Sequence, residues 1–211
     1  MKNTGNLPID IVIATHNSGK MDEMTKMLSN SAYKPLSLKQ IQVFEEVEET
    51  GITFKENAIL KAESYGKLAG RLTLADDSGI EVDALGGVPG IYSARYGGEG
   101  KNDTDRNQLL LSNLDGIPED ELTARFRCVV ALWNPIDDTV VTFEGKIEGR
   151  ITRNAKGRNG FGYDPIFFFP EKNRTLAELT SQEKESVSHR GEAMREAITY
   201  MEENVFSLRG D

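Results

Sequence analysis

Two adjacent carboxylates, Asp76 and Asp77, are the residues of this 211-residue chain whose types and spacing most directly suggest chemistry. They follow an apolar run over 72–75 that predicts a buried strand, and the pair Ser78-Gly79 after them predicts a turn. Two carboxylates at the end of a strand suit a divalent cation that accepts oxygen ligands. Because turn-forming residues also cluster in this way without any function, the interpretation depends on residues elsewhere in the chain.

A second candidate site is the turn between a predicted strand over 9–14 and a predicted helix over 20–30. This turn consists of Thr15, His16, Asn17, Ser18, Gly19 and Lys20. Backbone N–H groups at a helix N-terminus bind anions, and Lys20 adds a full positive charge. An ordinary polar turn has the same composition, so both interpretations remain open for this segment by itself.

Two further charged residues could complete such a site. Glu49 ends an acidic run over 45–49, and Lys61 lies one turn beyond Asn57 on a helix that is predicted from the capping box at Thr53. The alternatives are a solvated acidic loop for Glu49 and an exposed helix lysine for Lys61.

Residues nearer the C-terminus could bind a planar ring and read its edge. Aromatic rings interleaved with glycine and an aspartate suit a stacked ring that is held at its edge, and arginine presents a rigid fork of donors to a carbonyl or phosphate oxygen. The alternatives are a glycine-rich turn for the segment 161–165, a solvated helix residue for Lys184, and simple helix capping for His189 and Arg190. The candidates are Phe161, Gly162, Tyr163, Asp164, Lys184, His189 and Arg190.

The elements that must position these residues predict an α/β fold with a mixed sheet. Apolar runs predict strands over 9–14, 36–44, 72–75, 123–133, 139–152 and 167–169. Periodic patterns and N-caps predict helices over 20–30, from Thr53 to about Tyr65, over 103–114, and from Thr180 and Ser188. We expect one domain over 1–211, with residues 1–8 as an extension outside the core.

Composition limits the classes of function. The net charge of −9 and the pI near 4.9 oppose binding to a nucleic-acid polymer, although a local cationic pocket could still hold a small anion. The chain carries no apolar run of about 20 residues, so we expect no membrane span. Residues 1–8 contain no apolar segment, so we expect no secretion signal there. Cys128 is the only cysteine, so a reducing cytoplasm is the expected compartment. Neither a P-loop nor a Rossmann glycine pattern is present.

Six motifs in order make the chain similar to the inosine triphosphate pyrophosphatase family. The resemblance runs from about Ile9 to the terminal helix, which is nearly the whole chain. It departs from the pattern at His16, where bacterial relatives often carry glycine. The motifs are Thr15-His16-Asn17 with Lys20, the segment 49–58, Ala75-Asp76-Asp77-Ser78-Gly79, the segment 87–95, the segment 161–167, and Ser188-His189-Arg190.

The resemblance implies Mg2+-dependent hydrolysis of dITP, ITP and XTP to the monophosphate and pyrophosphate, which removes deaminated purines from the nucleotide pool. It implies an elongated mixed sheet in two lobes, a cleft between them, and a homodimer. The resemblance also implies that Asp77 is the proton acceptor and a metal ligand. It implies that Glu49 is the second metal ligand, and that Asp76 is a supporting anion beside them. It assigns the triphosphate to Lys20, Lys61 and Lys184, ring stacking to Phe161, and the purine edge to Asp164, His189 and Arg190. The other expected substrate contacts are Thr15, His16, Asn17, Ser18, Gly19, Ser78, Gly162 and Tyr163.

Two other functions stay open. One is a nucleotide-binding protein without catalysis, although a binder has no need of a water-activating carboxylate. The other is a related pyrophosphatase that prefers dUTP or modified pyrimidines.

Overall fold

The computed structural model describes residues 8–205, which form a single seven-stranded sheet with five helices. The strands are β1 (Ile9–Ile13), β2 (Tyr33–Ser37), β3 (Thr73–Val82), β4 (Thr123–Asn134), β5 (Thr139–Ile151), β6 (Phe167–Phe169) and β7 (Arg174–Thr175). The helices are α1 (Ser18–Leu28), α2 (Phe54–Ala69), α3 (Asp103–Asn113), α4 (Ser181–Val187) and α5 (His189–Glu203). Short 3₁₀ turns connect several of them, including one over Gly90–Arg95.

The sheet is mixed, which confirms the predicted α/β class. Its strand order is β2-β1-β3-β4-β5-β6-β7, with β1 parallel to β2 and β3 and the remaining pairs antiparallel. The parallel connections use α1 and α2 as crossover helices, as parallel strands require. Strand β1 pairs with β3 only at Val12–Thr73 and Ile13–Leu74. Beyond Leu74, β3 therefore continues without β1 as its neighbour, and this open stretch carries Asp76 and Asp77.

Three apolar clusters divide the core between two lobes. In the first lobe, α1 and α5 cover one face of the sheet around Leu74 and Val130, and α2 covers the opposite face around Ala75 and Val129. The second lobe packs α3 and the segment 163–179 against the far ends of β3, β4 and β5. The cleft between these lobes borders the open stretch of β3.

The structure corrects the predicted end of the third strand. The turn expected at Ser78-Gly79 is absent, because β3 runs on to Val82 and all ten of its residues pair with β4. A full cross-strand ladder outweighs the local turn preference of Asp, Ser and Gly. The expected strands over 36–44 are also wrong: only β2 forms, and the chain turns after it with Gln42 at a φ of 59°.

The predicted helix starts are confirmed. The side chains of Thr53, Thr180 and Ser188 each accept a hydrogen bond from a backbone N–H of the first helical turn. Helix α2 extends past its expected end at Tyr65 and stops at Gly70, whose left-handed backbone suits a glycine. The predicted extension falls almost wholly on residues 1–7, which lie outside the described residues, and the single domain stays a prediction.

Candidate active site

The anion-binding turn lies beside the open stretch of β3. After β1 ends, Asn17 caps α1 through a 3.0 Å hydrogen bond from the Lys20 N–H to its side-chain oxygen. The Thr15 hydroxyl accepts the Asn17 N–H at 3.2 Å, which shapes the turn. The first turn of the helix then directs Lys20 toward β3, where its Nζ lies 3.1 Å from Asp76 Oδ2. Residues 15–20 therefore place a positive charge next to the carboxylate pair.

Asp76 and Asp77 point to opposite faces of β3, because side chains alternate along a strand. Asp76 faces α1 and α5 and lies above Cys128, whose sulfur is 3.8 Å from Asp76 Oδ2. Asp77 faces α2 and accepts a 3.2 Å hydrogen bond from the Asn57 side chain. The two carboxylates therefore have different partners although they are adjacent in the sequence.

Asp77 shares a lysine with Glu49. The Lys61 Nζ lies 2.6 Å from Glu49 Oε1 and 3.3 Å from Asp77 Oδ1. Burial raises the pKa of Asp77 despite the nearby Lys61 and Lys20. Burial alone would also raise the pKa of Glu49, but Lys61 and Arg95 lower it below its usual value. Arg95 reaches the other oxygen of Glu49 at 2.7 Å. The site thus contains one strongly paired carboxylate and one of raised basicity.

Asp76 is the centre of a buried ionic cluster. Its Oδ2 accepts hydrogen bonds from the Arg190 guanidinium at 3.0 Å and from the Ser78 hydroxyl at 3.1 Å. Burial alone would raise the pKa of Asp76, but Lys20, Arg190 and Lys61 together hold it well below its usual range. Asp76 therefore stays ionised, and it fixes the position of the cations around it.

Phe161 lies over two cations in the cleft. Its ring centroid is 4.8 Å from Lys184 Nζ and 5.6 Å from the Arg190 guanidinium carbon. The Phe161 N–H donates to Asp164 Oδ2 at 2.9 Å, and the same oxygen lies 2.5 Å from Lys184 Nζ. On another side the ring meets Gly19, where an added Cβ would lie only 2.5 Å from a ring carbon. Glycine at position 19 therefore makes room for the ring.

His189 is buried and neutral. Its imidazole stacks on Phe126, with centroids 4.7 Å apart and planes inclined by 6°. Burial, together with Arg190 and Lys184, lowers the pKa of His189 well below its usual value. Its Nδ1 is buried and has no hydrogen-bond partner within residues 8–205.

Glu23 belongs to this site, although the sequence analysis missed it. Its two oxygens accept from Lys184 at 2.8 Å and from Arg190 at 2.5 Å. Burial alone would raise the pKa of Glu23, but Arg190 and Lys184 lower it. The sequence feature that could have indicated Glu23 is its position three residues after Lys20, since residues i and i+3 share one face of a helix.

Several predicted residues serve as supports or lie elsewhere. His16 lies 3.1 Å from the Tyr65 hydroxyl and not beside the carboxylates. The Tyr163 hydroxyl donates to the Ser93 carbonyl at 2.9 Å, and the Gly162 N–H donates to Asp103. Thr15, His16 and Ser18 border a separate hollow next to β2, whereas Asn17 borders both this hollow and the cleft. The structure thus assembles the charged candidates into one cleft, whereas the outer part of the turn faces away from it.

The residues present fit Mg2+ when substrate oxygens complete its coordination. Within residues 8–205, no three carboxylates, histidines or cysteines are arranged to hold a metal by themselves. Mg2+ in phosphate-transfer sites usually takes one or two carboxylates, water and substrate phosphates. Glu49 and Asp77, which meet at Lys61, are the pair that can supply these carboxylates.

Comparison with known proteins gives consistent matches over most of the chain. The sequence model of the Ham1 family matches residues 11–200. A dITP/XTP pyrophosphatase of Desulforamulus reducens is 50% identical over 188 residues, which cover 89% of this chain and 93% of that protein. One from Bacillus subtilis is 48% identical over 193 residues, covering 92% and 97%.

Solved structures give the same result. A HAM1 protein from Coxiella burnetii is 42% identical with a TM-score of 0.83, and the Staphylococcus aureus Ham1 protein is 40% identical with a TM-score of 0.82. Each match covers 92% of this chain and 99% of the other. In the part of the chain that the structure describes, we find no helix with the length and apolar character needed to cross a membrane.

Proposed function

This chain belongs to the Ham1 family, and we propose that it hydrolyses dITP, ITP and XTP to the nucleoside monophosphate and pyrophosphate. Its relatives at 50% and 48% identity are named dITP/XTP pyrophosphatases. The observation that carries the proposal is Asp77, a carboxylate of raised pKa in a cleft lined by cations. Burial, which raises the pKa of Asp77, favours acceptance of a proton by this carboxylate, and an environment that only binds phosphate has no need of such a group.

Asp77 acts as the base in this mechanism. It accepts a proton from a water molecule whose oxygen attacks the α-phosphorus. The new bond forms between that oxygen and phosphorus, and the bond from phosphorus to the bridging oxygen breaks, so that pyrophosphate leaves. Asn57, which donates to Asp77 Oδ2, orients the carboxylate. Since such reactions depend mainly on positioning and charge stabilisation, a rigid support for the base is important.

Mg2+ would be held by Glu49 and Asp77, and when bound it would neutralise phosphate charge. The chain supplies further positive charge through Lys20 and Lys61, which bind the triphosphate and stabilise the leaving pyrophosphate. Without substrate these lysines pair with Asp76, Asp77 and Glu49. The carboxylates therefore keep the lysines ordered in the cleft, and less conformational entropy is lost when the triphosphate binds.

The purine is recognised by Phe161 and the polar groups around it. Phe161 stacks on the ring, while Asp164, His189 and Arg190 read its edge. The resemblance assigned Lys184 to the triphosphate, but its Nζ lies 2.5 Å from Asp164 Oδ2 and 4.8 Å from the Phe161 ring centroid, so we place Lys184 with the purine edge instead. Donors that face a 6-oxo group are left unpaired when adenine presents an amine there, and a lost hydrogen bond of this kind can give roughly 10⁴-fold rejection. Glu23 fixes two of these donors, because it accepts from both Lys184 and Arg190.

The cellular setting follows from the same proposal. Removal of deaminated purines from the nucleotide pool is a cytoplasmic task, and the substrate is a small nucleotide rather than a nucleic-acid polymer, as the acidic charge favours. We infer a homodimer from the exposed apolar side chains of Ile52, Val88 and Tyr92, which are 81%, 45% and 57% exposed. Light scattering of the purified protein tests this, and a monomer mass at working concentration would contradict it.

The test of the proposed function is hydrolysis of dITP, XTP, dATP, dGTP and dUTP with and without Mg2+. Pyrophosphate and orthophosphate are assayed separately. We expect Mg2+-dependent release of pyrophosphate from dITP and XTP and little from dATP or dGTP. Orthophosphate as the direct product would contradict attack at the α-phosphorus, and faster hydrolysis of dUTP would favour a pyrimidine enzyme.

A further inference from the structure

Arg106 projects from the first turns of α3 into the wall of the cleft that belongs to the second lobe. It borders the same recess as Lys20, Ser78 and Arg190, which come from the first lobe. Its side chain is 18% exposed, comparable with the 13% of Lys20. Arg106 is therefore a second-lobe cation within the recess that holds the candidate substrate-binding residues.

The guanidinium of Arg106 is poorly paired. Its Nη1 lies 3.3 Å from Asp103 Oδ1, and its Nε is buried without an acceptor in the described residues. The other oxygen of Asp103 accepts the Gly162 N–H at 2.7 Å, so Asp103 is held by the loop that carries Phe161. Arg190 differs, because it donates to Asp76, Glu23 and Ser78.

Because Arg106 has fewer acceptors within the protein than Arg190, its guanidinium can donate hydrogen bonds to a ligand. A guanidinium has five donors, and leaving a buried donor without an acceptor is unfavourable. The side chain is also constrained by Asp103, which limits the alternatives it can reach. The exposed part of the Arg106 side chain borders the recess, where a ligand with closely spaced oxygens could accept hydrogen bonds from the guanidinium.

The neighbouring residues indicate which part of a nucleotide Arg106 would contact. Phe161, Asp164 and His189 form the base-binding side of the recess, and Lys20 with Asn17 forms the side of the anion-binding turn. The part of a nucleotide between its base and its β-phosphate is the sugar and the α-phosphate. Of these, the α-phosphate matches the fork of an arginine, which favours bidentate contact with phosphate oxygens.

We propose that Arg106 binds the two non-bridging oxygens of the α-phosphate, the phosphate that remains on the product. This inference rests on the proposed function. Substrate then connects the two lobes, with Lys20 on one side and Arg106 on the other. Because the α-phosphate stays with the monophosphate, the contact persists after pyrophosphate has left.

Calorimetric titration of Arg106→Met tests this with three probes: inosine monophosphate, inosine and inorganic pyrophosphate. Methionine keeps an unbranched apolar side chain and removes the donors. We expect the Kd of inosine monophosphate to rise about tenfold or more, as loss of a charge-assisted hydrogen bond implies. The Kd values of inosine and pyrophosphate should stay unchanged. The matched control is Arg127→Met, since Arg127 pairs with Glu144 outside this recess.

Two other results of the titration would overturn the proposal, and they can be distinguished from each other. Equal weakening of inosine and inosine monophosphate would place Arg106 on the sugar, and unchanged binding of both would give it a structural role only. If Arg106→Met does not fold, as judged by its melting curve, Arg106→Gln is titrated against the same expectation. A wild-type protein that neither hydrolyses dITP nor binds inosine monophosphate would refute the proposed function itself, and this inference with it.

Discussion

Replacing each carboxylate of the adjacent pair by its amide should have opposite consequences. Asp76→Asn should lower stability, whereas Asp77→Asn should remove turnover and leave the fold intact. The reason is that the two environments move the pKa values in opposite directions, down for Asp76 and up for Asp77. A lowered pKa means that the folded protein stabilises the carboxylate, and a raised pKa means that it does not.

The loss of stability expected for Asp76→Asn follows from the buried partners of this carboxylate. Removing one member of a buried ionic cluster usually costs about 3–5 kcal/mol. The amide keeps one oxygen acceptor, and Glu23 still pairs with Arg190 at 2.5 Å, so we expect the lower end, about 3 kcal/mol. For a chain of this size that corresponds to a fall in Tm of roughly 6–12 °C.

For Asp77→Asn we expect a lower rate of hydrolysis and little change in the free energy of unfolding. The charge of Asp77 is disfavoured by burial, and Lys61 keeps Glu49 as a partner after the substitution. We therefore expect the free energy of unfolding to change by less than about 1 kcal/mol. Loss of a general base typically reduces the rate by about 10²–10⁴-fold, and kcat for dITP should fall by that factor.

Urea unfolding and release of pyrophosphate from dITP are the two assays. The reasoning is refuted if Asp76→Asn is as stable as the wild type, or if Asp77→Asn loses several kcal/mol of stability or hydrolyses dITP at close to the wild-type rate. The pH dependence offers an independent check. The stability contributed by Asp76 is present above its unfolded pKa of about 3.9 and is lost progressively as the pH falls below it.

Three further variants test the supports of the site. Lys20→Ala should raise the KM for dITP about tenfold or more, since a charge-assisted contact is lost, and an unchanged KM would remove Lys20 from phosphate binding. Gly19→Ala should displace Phe161, which a Cβ would approach to 2.5 Å, and weaken inosine binding about 2–10-fold, as titration will show. Tyr65→Phe frees the Val47 N–H that its hydroxyl accepts at 3.0 Å. This should loosen the loop that carries Glu49 and raise the Mg2+ concentration needed for half-maximal activity.

Local signals predicted the helices and the family well. The caps at Thr53, Thr180 and Ser188 depend on hydrogen bonds within four residues, so a single sequence contains them. The six motifs are also local, and the family they predicted is confirmed by the match over residues 11–200. Short-range patterns therefore identified the helix starts and several of the charged residues that meet in the cleft.

Contacts across the fold could not be predicted in the same way. Glu23 pairs with Lys184 and Arg190, which lie 161 and 167 residues away in the sequence. Arg95 reaches Glu49 across 46 residues. No pattern within either segment encodes such a pairing, because both depend on how α1 packs against α5 and where the turn Gly90–Arg95 lies.

The error at the end of the third strand changes how the carboxylate pair works. A turn at Ser78 would have left Asp76 and Asp77 free to point in the same direction, as a shared metal site would require. Within a strand they must diverge, because the side-chain period is two residues. One carboxylate can then be buried among Lys20 and Arg190 as a fixed anion, while the other faces Lys61 with a raised pKa. The early end of β1 makes this division possible, since it exposes the middle of β3 to the anion-binding turn without breaking its pairing with β4.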